Sequence, residues 1–246
     1  MSLTSRGIFL DAVSLFRAER ELLIALAGMF FVVPMLGAIL LVSGFNMPAT
    51  QDAEQLKEAM TGFYEANWPT ILAISLVMDF GSFAIFNLFL QGDGRTLGQV
   101  LLLTGKRFLG FFVLNTLAGL LFSMGFSLFF LPGFYLLART WLAGPAFAAD
   151  PRSGILLAFR EGWRRSSGLP GFALLGLGSM ILFLAFGVLL IAGGILGTIA
   201  GLIGGVQAVA PVSYLVAALV GGAAWSAIAL MRVAAYRLGG VPKQGI

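Results

Sequence analysis

Long uncharged runs alternate with short charged ones along this chain, and the alternation predicts helices that cross a bilayer. Six apolar stretches stand out, at about 22–42, 69–91, 108–130, 133–149, 171–191 and 211–231. A helix needs roughly 20 apolar residues to cross about 30 Å of hydrocarbon, and most of these runs meet that length. None shows the two-residue alternation of a membrane barrel, so each span must satisfy its own backbone polar groups as a helix. The expected fold is all-α: a polytopic integral membrane protein with six transmembrane helices, with residues 1–246 forming a single membrane domain.

The segments between the spans have a pattern of their own. Residues 3–20 place Phe9, Ala12, Val13 and Phe16 at i, i+3, i+4 and i+7, with Arg6, Asp11, Arg17 and Arg20 interleaved. That spacing predicts an amphipathic helix lying on the membrane. Residues 96–107 and 151–168 read the same way. All three segments carry a glycine near the start (Gly7, Gly98, Gly154), end in basic residues and precede a pair of spans, a weak threefold repeat. The one long polar segment, 43–68, is predicted to be a loop in which Leu56, Met60, Phe63 and Tyr64 mark a short surface helix. Trp68 closes it as an interfacial aromatic. Pro34 predicts a kink, Gly92-Asp93-Gly94-Arg95 a turn, and Leu131-Pro132-Gly133 a tight turn dividing the apolar run 108–149.

Charge sets the orientation. With six spans, 13 of the 15 Lys and Arg residues fall on one side, Lys57 falls on the other, and Arg139 falls within a span. The positive-inside rule then places both termini and the three amphipathic helices in the cytoplasm. The glycine-rich run 190–210 is uncharged. Counting it as a seventh span would put Arg232, Arg237 and Lys243 outside, so it is expected to be an extension of the fifth helix, or a re-entrant or interfacial helix.

Composition narrows the chemistry. The chain is 59% hydrophobic and only 11% charged, with a mean hydropathy of +0.97. Six spans leave no room for a separate soluble catalytic domain. There is no Cys and no His, so disulfides, the usual transition-metal ligands and the usual neutral-pH proton shuttle are missing. No cofactor is expected. The pI near 9.9 reflects topology-setting charge, and nucleic acid is not an expected partner. No nucleophile elbow, Walker loop or zinc-protease motif occurs, and the chain is expected not to be an enzyme.

Three constellations remain. Asp79 and Arg139 fall at the middles of the second and fourth spans and are expected to form an intramembrane charge pair, since an isolated charge there is costly. Gly193, Gly197, Gly201 and Gly205 form a four-residue stripe suited to close helix packing or to an oligomer seam. Arg160, Trp163, Arg164 and Arg165 suit contact with anionic headgroups.

The run LPGFYLLARTWLAGPAFAAD (131–150) followed by GILLAFREGWRRSSG (154–168) resembles a known family. It is similar to the membrane domain attached to some bacterial glycerophosphoryl diester phosphodiesterases, and to stand-alone YciC-type inner-membrane proteins. The matching positions are Pro132-Gly133, Arg139, Pro145, Gly154, Ala158 and Trp163. The resemblance implies a multi-pass protein of the bacterial cell inner membrane, near lipid metabolism or envelope maintenance, without the soluble phosphodiesterase domain. The expected function is a non-enzymatic inner-membrane module, lipid-facing or partner-binding, or a subunit of an envelope complex. The alternative is a small transporter or channel with a midplane Asp79–Arg139 site. Phospholipid is the expected partner, with a second membrane protein or a second copy of the chain as further candidates.

The orientation is open to direct test. Single cysteines at Gln99 and Gln244 should be shielded from an impermeant thiol reagent in intact cells, and one at Gln55 should react. Labelling at Gln244 would restore 190–210 as a crossing.

Overall fold

The computed structural model describes residues 4–46, 48, 52–91, 94, 96–166, 169–203 and 205–239, and all regular structure among them is helical. In chain order the helices are α1 (Ser5–Ala18), α2 (Arg20–Ala27), a π-helical turn (Gly28–Val32), α3 (Val33–Ser43), α4 (Ala53–Gln91) and α5 (Leu97–Leu128). They continue with α6 (Phe130–Thr140), α7 (Ala143–Ala149), α8 (Ile155–Arg165), α9 (Leu169–Ile203) and α10 (Val206–Leu238). Five helical stretches are long and apolar enough to cross a membrane: Arg20–Ser43, Ala53–Gln91, Leu97–Leu128, Phe172–Leu202 and Ala208–Leu238. The protein is therefore an all-helical, multi-pass membrane protein. The Gly92–Arg95 turn is described only at Gly94, whose φ of +73° suits a residue without Cβ. Lys243 lies outside the described residues.

The N-terminal helix starts on a side-chain cap. Thr4 accepts a hydrogen bond from the Gly7 amide at 3.2 Å, satisfying one of the free donors of the first turn. α1 buries Ile8, Ala12 and Leu15, whereas Phe9 and Phe16 stay about half exposed. The apolar face is thus wider than the spacing predicts, and only part of it is covered. At Pro34 the helix accommodates the missing N–H through the π-turn just before it rather than through a break. The bulge presses Phe30 and Phe31 against Gly81 of α4 and Val32 against Gly222 of α10, where any Cβ would collide with these residues.

The one predicted long loop is mostly helical, and the short surface helix expected within it is part of a longer element. The polar segment from Ala53 onward is the first part of α4, which runs unbroken through Pro69 to Gln91. At 1.5 Å per residue its 39 residues reach about 58 Å, twice the hydrocarbon thickness, so its acidic first half extends beyond the span. Residues 190–203 of the glycine-rich run extend the fifth predicted helix as the end of α9, and 206–210 open α10. The chain turns at Phe129, whose backbone is extended (φ −171°, ψ 156°), two residues before the predicted start. Pro132 and Gly133 lie in the first turns of α6 instead, and Gly133 meets Gly125 backbone to backbone.

The predicted 133–149 span is not one helix. It is divided at Trp141-Leu142 into α6 and the short α7, buried from Ala143 to Ala148. α7 packs against α4, α5, α8 and α10, and Phe83, Phe86, Phe111 and Phe147 form the aromatic core around it. α8 lies across the break through Gly162, where a Cβ would stand 2.6 Å from the Ala143 amide nitrogen.

These contacts separate structural glycines from open ones. Gly162→Ala has no room against fixed backbone and should cost about 1–3 kcal/mol, as overpacking does. Gly197, beside which nothing lies within 4 Å, should accept alanine with stability unchanged or raised by up to about 1 kcal/mol. Thermal unfolding of the two variants in detergent checks the contrast.

Candidate functional site

A helix broken inside a bundle leaves backbone carbonyls without partners, and in a membrane no bulk water replaces them. Here side chains from distant helices take the part. Ser166 Oγ, at the end of α8, donates to the Arg139 carbonyl at 2.8 Å, and Arg232 Nε of α10 donates to the Trp141 carbonyl at 2.9 Å. At the other end of α7, Gln91 Nε2 donates to the Ala148 carbonyl. Arg107 donates to the carbonyls of Asp150 at 3.2 Å and Ser153 at 3.4 Å. Gly144 makes the Arg232 contact feasible, since a Cβ there would lie 3.0 Å from the guanidinium and from Phe86.

Beside this break lies a cavity of about 340 Å³ between α4, α5, α6, α9 and α10. Its polar wall is made of Asp79, Ser82, Asn115, Thr140, Trp141, Trp225 and Arg232. Asn115 Nδ2 donates to Asp79 Oδ1 at 2.7 Å, and the Trp225 indole N–H donates to Ser82 Oγ at 3.3 Å. The Ser82 and Thr140 hydroxyls are turned onto their own helices, toward the Met78 and Leu136 carbonyls. Arg232 also lies over the Phe86 ring, 4.9 Å from its centroid. Asp79 and Arg232 attract one another across the cavity, but no salt bridge joins them. The ion pairs found among the described residues link Glu161 to Arg164 and Arg165.

The predicted Asp79–Arg139 pair is not formed. Arg139 instead stacks its guanidinium on the Trp163 ring at 4.5 Å, with Tyr135 at 5.8 Å. The α6 helix turns this side chain toward α8, away from the cavity that Asp79 lines. The arginine that shares the cavity with Asp79 is Arg232. Sequence reasoning put Arg232 just beyond the last span, although the apolar run Val233-Ala234-Ala235-Tyr236 behind it signals that the helix stays in the bundle. Asn115, the lone amide in residues 108–130, was likewise a readable signal.

The other two constellations also change meaning. A Cβ added at Gly193, Gly197, Gly201 or Gly205 meets nothing within 4 Å, so the stripe is no packing surface within the chain. Among the headgroup candidates, Trp163 is occupied by Arg139. Arg165 bonds to Glu161 at 2.6 Å, donates to the Tyr236 carbonyl at 2.7 Å and stacks over the Tyr236 ring at 3.9 Å. It fastens α8 to α10. Arg164 is exposed but holds Glu161 through two nitrogens, at 2.9 and 2.7 Å, and Arg160 faces outward.

A second, apolar concavity of about 530 Å³ runs between α1, α2 and the second half of α10. Phe9, Phe16, Ile24, Leu219, Ala223 and Leu230 are among its lining residues. Among the described residues no three side chains of metal-ligating type converge. Comparison with known protein families, curated proteins and solved structures finds no match.

The α8 anchor has a pH signature. The Arg164 hydrogen bonds, reinforced by Arg165, hold the Glu161 carboxyl at about 2, well below the ordinary value. A depressed carboxyl adds stability at pH values above about 4.5 and loses it as pH falls toward about 2. Thermal stability measured across that window should decline, and Glu161→Gln should remove part of the decline while lowering stability at neutral pH.

Proposed function

We propose that the protein is a non-enzymatic module of a bacterial inner membrane that binds phospholipid along its bilayer-facing surface. The observation that carries this reading is the apolar concavity between α1 and α10. It is walled by Phe9, Phe16 and Ile24, whose side chains are 48%, 44% and 62% exposed. Its lining matches an acyl chain in chemistry, and a headgroup beside it would lie near the basic residues of α1. α8 adds to the same surface, with Leu156 and Leu157 exposed beside Arg160.

In this reading the chain crosses six times with both termini in the cytoplasm, and the split α6–α7 pair is the fourth crossing. Two contacts support it. Arg107 reaches the Asp150 and Ser153 carbonyls, so the run 108–149 leaves and returns at one level. α1 packs beside α10, which brings the first and last described helices to the same level. The sidedness of the basic residues and the resemblance to inner-membrane proteins support the location. A second reading, a small transporter, is favoured by the cavity that Asp79 and Arg232 share.

Filling the groove tests the first reading. Ala223 lines it and is exposed, so Ala223→Phe should leave the fold intact. Native mass spectrometry after detergent extraction should find bound phospholipid on the unaltered protein and much less on the variant. An unchanged lipid stoichiometry would contradict a lipid-binding groove.

A further inference from the structure

Two opposite charges facing one cavity without touching are an unfinished arrangement in a membrane protein. Asp79 Oδ1 is taken by Asn115, while Oδ2 has no hydrogen-bond partner among the described residues. Arg232 Nε is taken by the Trp141 carbonyl, while its two terminal nitrogens have none. These free atoms belong to residues that line the same cavity, and none of them is fully buried. An uncompensated charge at low dielectric is costly, and a direct pair would have relieved both. The bundle keeps them apart because Arg232 is held to the helix break and Asp79 to α5.

The geometry points to a binding site for a small zwitterion, its ammonium against Asp79 and its anionic oxygens against Arg232. Each end of such a ligand meets the charge left open for it, and a guanidinium suits a phosphate or carboxylate through parallel N–H bonds. A cavity of about 340 Å³ lies at the lower end of the range for small-molecule sites, the size of a headgroup rather than a whole lipid. Phe111, Trp141 and Trp225 give the cavity aromatic walls for the ligand's methylenes. The ligand chemistry is that of an ethanolamine phosphate, available either as a phospholipid headgroup or as a free solute. The site is separate from the apolar groove and stands whether the ligand is carried across the membrane or only held.

The test uses the purified full-length protein in detergent and reads tryptophan emission, since Trp141 and Trp225 are two of the four tryptophans and both line the cavity. Short-chain phosphatidylethanolamine and free phosphoethanolamine are titrated beside their N-acetylated forms, which keep the phosphate and lose the ammonium. Saturable binding of an ethanolamine form, at least about tenfold tighter than its N-acetylated counterpart, is expected, since loss of one charge-assisted contact is worth that much. Binding of the lipid alone assigns the site to a headgroup, and binding of both assigns it to the shared zwitterion. Asp79→Asn should abolish the preference for the ammonium, and Ala223→Phe should leave it intact even if the groove binds no lipid. Equal binding of the N-acetylated forms, or no saturable change with any ligand, would overturn the proposal. That comparison is made on the unaltered protein and does not depend on a variant folding.

Discussion

The peptide carbonyls freed where α6 gives way to α7 are the constraint on which the rest of this structure depends. A continuous helix needs nothing from its neighbours to satisfy its backbone, whereas a divided one in a bilayer does. The Arg139 and Trp141 carbonyls are answered by Ser166 and Arg232, and the far end of α7 by Gln91 and Arg107. These four donors come from α10, the end of α8, the end of α4 and the first third of α5. Satisfying one short helix therefore fixes the relative placement of most of the bundle. The glycine contacts follow from the same requirement, because Gly144 and Gly162 let the donor side chain and the α8 backbone come close enough.

The break also creates the cavity. Thr140 and Trp141, at the end of α6, form part of its wall, and Arg232, whose Nε serves the Trp141 carbonyl, lines it together with Asp79. Arg232 is thus structural through one nitrogen and open to a ligand through the others. Arg139, two residues before Trp141, has no share in the site because its stacking on Trp163 ties α6 to α8. α8 is held in turn by Arg165 on Tyr236. Two arginines on opposite sides of the break thus do different work, and their distance in sequence from the groups they serve hides this.

Periodicity and charge made the membrane class, the helical fold and the amphipathic α1 and α8 readable from the residues, because those features depend on local pattern. Asp79 was singled out as an intramembrane charge, and it lines a cavity beside Asn115 and Arg232, neither of which was expected as its neighbour. Opposite sign at matching depth pointed to Arg139, and nothing in one helix reports which face another turns toward it. Arg232 was sorted to the surface because a charge after a long apolar run reads as a span end. The stripe Gly193, Gly197, Gly201 and Gly205 packs against nothing among the described residues, because four-residue spacing shows only that a close approach is permitted. The polar start of α4 was read as a loop holding a short surface helix, with Pro69 opening the span, whereas one 39-residue helix carries both.

The most direct test of this account is the infrared frequency of the Trp141 carbonyl. Tryptophan carrying a ¹³C carbonyl labels four positions in the chain, and subtracting the spectrum of Trp141→Phe isolates the one at the break. A carbonyl bonded to the Arg232 guanidinium should absorb at the low-frequency side of the helical amides. A band at the higher frequency of an amide without a hydrogen bond would show that the break is not held by Arg232, and the account of both bundle and cavity would fail with it.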